Sequence, residues 1–425
     1  MILDGEEIFI IDIPNKEEKI LYAPLRSYLA KVSSNIMEIL EESNERELFL
    51  KRIKKNNLVD INKIHNHYCN RIPYLSIPVT DDCTLRCQYC YFRAGDNDKR
   101  TIMKKDNIKK YVDAYFSQLS NYKIQDENIN VSIAGGGEPT KAFEEFKYTV
   151  EYIKLKAKEY GKKVRFTMPT NGFYGEEVRK FIVDNFWQVS LSMDGPEDIQ
   201  NYQRPNPSGG PSFDVVYETA KYFYKNNLKF GIRGTVTKYS IDRLKEIILF
   251  FHNEFPGVSI SLERMSEFGR TFDSGIEAPS LEEFKIKINE AHKYAYSIGA
   301  LVKNASLGKV NSLRTVFCQS VAVPNWTILS DGRITSCTRD SFPEVFTFGQ
   351  FNYETNNVEL FEDRLDKLRK MNVFNYDECQ ECFAKYNCAG DCPNLRVARM
   401  IDCDSNRNLQ LQKFLFMLEN NKKGG

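Results

Sequence analysis

The chain has 425 residues, with 59 Lys plus Arg set against 58 Asp plus Glu. At roughly 150 residues per domain this length predicts two or three domains and ample chain for a buried core, and the near-zero net charge gives no field that would make nucleic acid or a membrane the partner. No apolar run reaches the roughly 18 residues of a transmembrane helix, and the acidic start Met1-Ile-Leu-Asp-Gly-Glu-Glu lacks the basic n-region of a signal peptide, so a cytoplasmic, reducing compartment is expected.

Residues 1–70 read as a small α/β lead-in. Glu7 to Pro14 and Lys19 to Pro24 carry β-type runs, and Ser33 to Leu40 and Arg46 to Ile53 have apolar residues at helical spacing behind candidate caps Ser33, Ser34 and Asn44. Two strands with two helices fit either a reduced winged-helix-like peptide-recognition module or packing that closes the open side of the next domain.

From residue 71 to 301 the pattern becomes strand, turn, helix, repeated. Strands are predicted at Tyr74–Val79, Ile129–Ala134, Val164–Met168, Gln188–Ser192, Lys229–Val236 and Val258–Leu262. Helices are predicted at Lys104–Leu119, Lys141–Tyr160, Gly175–Val183, Phe213–Asn226, Ile241–Asn253 and Leu281–Ile298. Strands alternating with helices imply a parallel sheet, and six strands are too few for a closed eight-fold barrel, so a partial, TIM-like (β/α)6 barrel is expected. In such folds the chemistry collects at the carboxyl ends of the strands. The polar and glycine-rich motifs follow that rule.

After the first strand comes Cys83-Thr-Leu-Arg-Cys87-Gln-Tyr-Cys90. In a reducing compartment clustered cysteines are metal ligands or catalytic thiols more often than disulfides. Soft thiolates select zinc or an iron-sulfur cluster, and three are one short of the usual four. An open metal position marks a reactive centre; half of a zinc site is the rival reading. The second strand leads into Gly135-Gly136-Gly137-Glu138-Pro139-Thr140, where glycines allow close backbone approach and a carboxylate can pair with a cationic amine. A tight strand-to-helix turn with Pro139 at the helix start explains the same residues without a ligand. Thr170-Asn171-Gly172, Ser192-Met-Asp194-Gly195 and Arg233-Gly-Thr-Val236 close the third, fourth and fifth strands, and Glu263 and Arg264 end the sixth.

Residues 302–425 lose this rhythm and hold Cys318, Cys337, Cys379, Cys382, Cys388, Cys392 and Cys403. The spacing is Cys318-x13-Gly332-x4-Cys337, then Cys379-x2-Cys382-x5-Cys388-x3-Cys392, then ten residues to Cys403. A zinc ribbon would use four cysteines in two pairs. The four histidines, His65, His67, His252 and His292, show no metal-binding spacing with a cysteine pair, and Leu409 to Leu418 reads as an amphipathic helix over the distal cysteines or the barrel flank.

The CxxxCxxC run with Tyr89 before its last cysteine resembles the signature of radical S-adenosylmethionine (radical SAM) enzymes, and the later cysteines with Gly332 resemble their SPASM extension; together the likeness covers about residues 74–404. The resemblance implies an enzyme in which Cys83, Cys87 and Cys90 hold a catalytic [4Fe-4S] cluster that binds SAM. It also implies SAM contacts from Tyr89, Gly136, Gly137 and Glu138, with Ser192 and Arg204 at the ribose and carboxylate and Asn171 and Val236 near the ribose and adenine. For Arg204 an exposed, solvated guanidinium is the plain alternative. Family precedent further places Cys379, Cys382, Cys388 and Cys403 on a distal auxiliary [4Fe-4S] cluster, and Cys318, Cys337 and Cys392 on a nearer one.

Two such clusters need eight cysteines and this region supplies seven, so the nearer cluster is expected to carry an open iron, unless Cys69 completes it. The implied activity is a maturase of a ribosomally made precursor peptide, served by a low-potential donor such as flavodoxin or ferredoxin, that forms a thioether or carbon-carbon crosslink after hydrogen abstraction. Alternatives are an anaerobic sulfatase-maturing (formylglycine-generating) enzyme, a peptide epimerase and a non-catalytic electron-transfer protein. No general base is legible; Glu263 and Arg264 are positional candidates.

Overall fold

The short β-branched runs between the predicted helices do pair in parallel, strand by strand. In the computed structural model, which describes residues 2–96, 98, 100–122, 126–303, 312–339 and 342–420, they are β1 (Leu75–Ser76), β2 (Asn128–Ser132), β3 (Lys163–Thr170), β4 (Gln188–Ser192), β5 (Phe230–Val236) and β6 (Ser259–Arg264). Each lies beside its successor in an unbroken parallel order. The α/β class and the six-stranded parallel core are therefore as expected. The sheet extends beyond them: β7 (Val302–Lys303) adds parallel to β6, and β8 (Trp326–Ile328) adds parallel to β1. An antiparallel meander of β9 (Arg333–Thr335), β10 (Thr347–Asn352) and β11 (Asn357–Leu360) continues from β8. Short two- and three-residue strands such as β7 and β8 carry too little periodicity to be read from sequence.

Two boundaries differ for chemical reasons. The first strand was expected over Tyr74–Val79, but its ladder shrinks to two residues between Pro73 and Pro78, neither of which has an N–H to donate. The third strand runs past Met168 through Pro169, whose register partner is Ser190 on β4. Gly332, in the hairpin between β8 and β9, sits at φ 83°, which explains a glycine at that position of the cysteine-rich extension.

Strand alternation separates two faces of this sheet. Val131, Met168, Val189, Leu191, Ile232, Ile260 and Leu262 are all buried, and Phe230 packs on Phe223 and Phe255 from the flanking helices. The residues between them, including Ser190, Ser192, Arg233, Ser261 and Glu263, are half-buried or exposed. All of this belongs to one compact unit, Arg71–Ala305 with Val323–Arg369.

The other unit joins Met1–Asn70 to Ser306–Ala322 and Lys370–Gly425. Its amino-terminal part has a two-residue strand pair, Ile2–Leu3 with Glu6–Glu7, a three-stranded antiparallel sheet of Phe9–Asp12, Lys19–Ala23 and Tyr28–Val32, and three helices, Ile36–Glu41, Ser43–Lys54 and Ile61–Cys69. The expectation of two strands and two helices thus missed the short amino-terminal pair, the helix Ile61–Cys69 and Tyr28–Val32, which is half-buried at every position and shows no alternation. Asp60 caps the third helix by accepting from the N–H groups of Asn62 and Lys63. The carboxyl-terminal helix is longer than predicted, Cys403–Asn420, and its Leu411 and Phe414 pack on Phe9, Ile11, Ile20 and Tyr22. It therefore covers the amino-terminal sheet, because that sheet's apolar face needs a partner. Among the described residues no helix is long and apolar enough to cross a membrane.

Candidate active site

The cysteine loop leaves β1 and is held from several directions. Asp82 accepts from the Cys83 N–H at 2.7 Å, and the Arg86 guanidinium donates to the carbonyls of Cys83 (2.8 Å), Leu85 (3.0 Å) and Gly95 (2.6 Å). From the loop after β6, Arg270 donates to the carbonyls of Cys87 (2.8 Å) and Ala94 (2.9 Å) and pairs with Asp96 (2.6 Å), while its own N–H reaches the Cys90 carbonyl at 3.0 Å. The two arginines neutralise the carbonyl ends of a turn that has no regular structure of its own. Neither was singled out from sequence, where an isolated arginine carries no signal.

The glycines after β2 meet this loop directly. The Gly137 N–H donates to the Thr80 carbonyl at 3.1 Å and the Glu138 N–H to that of Asp82 at 2.8 Å. A side chain at Gly136 would overlap the Phe92 ring, and one at Gly137 would overlap the Asp82 carbonyl. Close approach of two backbones is thus what these glycines allow. Glu138 is buried, and both carboxylate oxygens already accept: Oε1 from the Thr140 and Thr170 hydroxyls (2.9 and 3.0 Å), Oε2 from the Asn171 N–H at 2.7 Å. Burial raises its pKa while those donors oppose the rise. The carboxylate ties the β2 turn to the β3 turn.

That tie places Asn171 against the cysteines. Its amide Nδ2 lies 3.4 Å from Cys83 Sγ and 3.0 Å from the Thr84 hydroxyl. On the opposite side Arg204 Nη1 lies 3.8 Å from Cys87 Sγ. Arg204 is not a solvated surface cation: it is 7% exposed, its Nε stands 3.0 Å from Asp194 Oδ2, and its Nη2 donates to Asp194 Oδ1 at 3.1 Å. Burial alone would lower its pKa, and the adjacent Asp194 carboxylate reverses the sign. Asp194, 1% exposed, also accepts from Tyr89 Oη, from Gln203 Nε2 at 2.7 Å and from the Thr235 N–H at 2.8 Å. The Arg204 guanidinium lies 5.2 Å from the centre of the Tyr89 ring. Asp194 holds one edge of Arg204 and leaves Nη1 turned toward the cysteine loop.

Burial pushes the thiols of Cys83 and Cys87 up to about 12 and about 11, and Cys87 and Cys90 each add to the rise at Cys83. Among the described residues no three His, Cys, Asp or Glu side chains close around a point tightly enough for a single metal ion. The three sulfurs with amide and guanidinium donors beside them are a donor set suited to a [4Fe-4S] cluster, whose sulfurs take hydrogen bonds and whose charge calls for nearby cations. Ser192 ends β4 in register with Arg233 on β5. Val236 is fully buried in the row that packs on the helices, and its carbonyl accepts from the Met265 N–H at 2.9 Å.

Cys337 belongs to the same unit, and it raises the phenol of Tyr91, as does Cys90, although burial is the larger cause. In the other unit, burial pushes Cys379 to about 11 and Cys388 to about 12. Cys382 and Cys403 bear on both of these thiols, so these four cysteines form one group. Between Cys388 and Cys392 the chain passes through three successive left-handed residues, Ala389, Gly390 and Asp391 (φ 57°, 81° and 62°). Cys318 Sγ lies 2.9 Å from the Ser320 hydroxyl, and Cys69 Sγ lies 3.5 Å from His65 Nε2.

Residues 77–251 match the family model of the radical SAM superfamily. The cysteine-type anaerobic sulfatase-maturating enzyme of Clostridium perfringens is 25% identical over 361 residues, 77% of this chain and 91% of that one. GTP 3',8-cyclase of Helicobacter pylori is 30% identical over 320 residues, 72% of this chain and 91% of the relative. Among solved structures, native anSMEcpe with bound AdoMet and Cp18Cys peptide superposes with a TM-score of 0.61 at 19% identity, covering 82% of this chain and 99% of the other. Streptococcus suis SuiB bound to precursor peptide SuiA gives 0.53 at 16% identity, covering 90% and 94%.

Proposed function

We propose that this chain, which belongs to the radical SAM superfamily, is a SPASM-type maturase that crosslinks a ribosomally made peptide, with a thioether as the first choice of bond and a carbon-carbon bond as the second. The observation that carries the reading is the cysteine trio at the carboxyl end of the parallel sheet, with Asn171 and Arg204 reaching two of its sulfurs. The peptides bound in two of the similar structures support a peptide or protein as the substrate.

Cys83, Cys87 and Cys90 would hold the catalytic cluster, Cys379, Cys382, Cys388 and Cys403 the distal auxiliary one, and Cys318, Cys337 and Cys392 the nearer one. When bound, the catalytic cluster and SAM supply a 5'-deoxyadenosyl radical, and the auxiliary clusters supply an exit for electrons. The chain's own residues position and neutralise. Arg204, held by Asp194 along one edge, offers Nη1 to the SAM carboxylate. Glu138 acts on SAM indirectly, by fixing the Asn171 backbone and the glycine turn. Ser192 at the end of β4 faces the same opening. A low-potential flavodoxin or ferredoxin would reduce the catalytic cluster.

The sulfatase-maturating relatives favour a second reading, oxidation of a substrate Cys or Ser to formylglycine. Anaerobic reconstitution followed by iron counting and product analysis tests both. About twelve irons per chain with 5'-deoxyadenosine formation supports three clusters and radical chemistry. Zinc without iron, or no SAM cleavage, removes the reading. With short peptides encoded beside the gene, a product that has lost two hydrogens and an alkylatable thiol identifies the thioether, whereas a hydrazide-reactive aldehyde identifies formylglycine. Cys69→Ala separates the ligand counts: irons retained support an open site on the nearer cluster, and loss of about four irons makes Cys69 its fourth ligand.

A further inference from the structure

We propose that Arg233 anchors an acidic side chain of the peptide substrate on the open face of the sheet. The inference rests on the peptide-modifying reading above and adds the chemistry of what is recognised.

Parallel strands are ordinarily covered on both faces and built of apolar residues. β5 keeps that rule on one side only. Phe230, Ile232 and Val236 are buried against the helices, while Arg233, between them in the strand, is exposed on the other face. Its register partners there are Ser192 on β4 and Ser261 on β6, and the row beneath is Ser190, Gly231 and Ser259. Only small side chains flank the exposed guanidinium on the two neighbouring strands.

Among the described residues the Arg233 side chain makes no hydrogen bond or ion pair, whereas the side chains of Arg86, Arg204, Arg264 and Arg270 are each bonded to carbonyls or carboxylates. An arginine held mid-strand with its donors unspent suits a planar, two-oxygen acceptor brought by a ligand. Its place is close to the chemistry. The Met193 N–H donates to the Arg233 carbonyl at 3.2 Å, and the Thr235 N–H, two residues along the strand, donates at 2.8 Å to Asp194, the partner of Arg204. Glu263, one step further along the face beside Thr235, accepts from the Ser261 hydroxyl at 3.1 Å.

A carboxylate at Arg233 could come from the substrate or from SAM, so the test measures both. Three pools of blocked dodecapeptides, randomised except for a central Glu, Gln or Lys, are titrated by fluorescence anisotropy onto the reconstituted enzyme with SAM present. SAM affinity is measured separately by equilibrium dialysis. The expected result is Glu-pool binding roughly tenfold tighter than Gln-pool binding, as one charge-assisted pair provides. Arg233→Gln should erase that difference, Arg233→Lys should keep part of it, and Arg233→Glu should shift preference to the Lys pool, all with unchanged SAM affinity. No preference or no peptide binding in the parent enzyme, a preference that survives Arg233→Gln, or loss of SAM affinity in place of peptide affinity overturns the proposal. Failure of the parent enzyme to cleave SAM would instead overturn the functional reading on which it rests.

Discussion

Asp194→Asn is the sharpest probe of the site's electrostatics. The carboxylate accepts from Tyr89, Gln203, the Thr235 N–H and Arg204 Nη2, and pairs at 3.0 Å with Arg204 Nε, with almost no solvent access. An asparagine keeps the size but replaces one acceptor oxygen with a donor, so the Oδ2 partners Tyr89, Gln203 and Arg204 Nε face an N–H group, and the guanidinium is left buried without a counter-charge. Breaking a buried pair from one side costs about 3–5 kcal/mol, a large part of the roughly 5–15 kcal/mol that holds a domain together. Urea unfolding of the apoprotein measures it by tryptophan fluorescence, because both tryptophans, Trp187 and Trp326, lie in the same unit as Asp194. Arg204→Met and the double variant complete a cycle, for which a coupling of about 2 kcal/mol or more is expected. A loss below about 1 kcal/mol for Asp194→Asn, or strictly additive single losses, would refute the buried-pair argument.

Gly137→Ala should lose about 1–3 kcal/mol and load less iron, because its methyl group meets the Asp82 backbone, whereas Gly175→Ala, with open space around it, should lose only the N-cap preference of its helix, under about 1 kcal/mol, and leave iron loading unchanged. Lys385 is paired with Glu7 in the other unit, both largely buried, so Lys385→Met should cost about 3–5 kcal/mol and expose the amino-terminal strands to protease. Recovery of resistance in Glu7→Gln/Lys385→Met is the expected counterpart, and unchanged proteolysis of the single variant would contradict it. Proton linkage gives a further expectation. Cluster ligation takes thiolates, yet Cys83 and Cys87 titrate near 12 and 11 in the apoprotein, so iron loading should accelerate from pH 7 to 9; a pH-independent rate would count against it. Because their folded pKa values lie above the ordinary 9.0, these thiols stabilise the apo fold below about pH 9, and that contribution is lost as pH rises toward 11 and 12. The apo Tm should therefore fall above pH 9, and that of the loaded protein should not.

Local pattern carried a large share of this protein's description. Gln188–Ser192 and Leu281–Ile298 match their predicted bounds, because alternation of period two and a Ser280 cap with an apolar stripe are written in adjacent residues. The cysteine spacings are legible for the same reason, since a ligand run must be local to converge on one centre. The fold class and the placing of the motifs at strand ends followed from those two signals.

Pairings across long stretches of chain were decided only in three dimensions. Nothing near Phe9 or Tyr22 announces that Phe414, some 400 residues on, will cover them; that follows from which apolar face lacks a partner once the strands have paired. The sequence offered Glu138 only as a carboxylate in a glycine turn; the parallel register of β2 and β3 is what brings Thr170 and Asn171 onto it. Asp194 stood in view within its turn, and its importance came from Arg204, Gln203 and Thr235, which one neighbouring strand and the end of a short helix deliver to one buried point. Arg233 shows the converse. Its sequence neighbours predict only a strand, while the register that sets it among serines, exposed and with no bonding partner for its side chain among the described residues, makes it a candidate for recognising the substrate. Composition and period act over a few residues, and charge compensation and burial act through space; the first determined the scaffold and the second chose which of its polar groups are structural and which remain available.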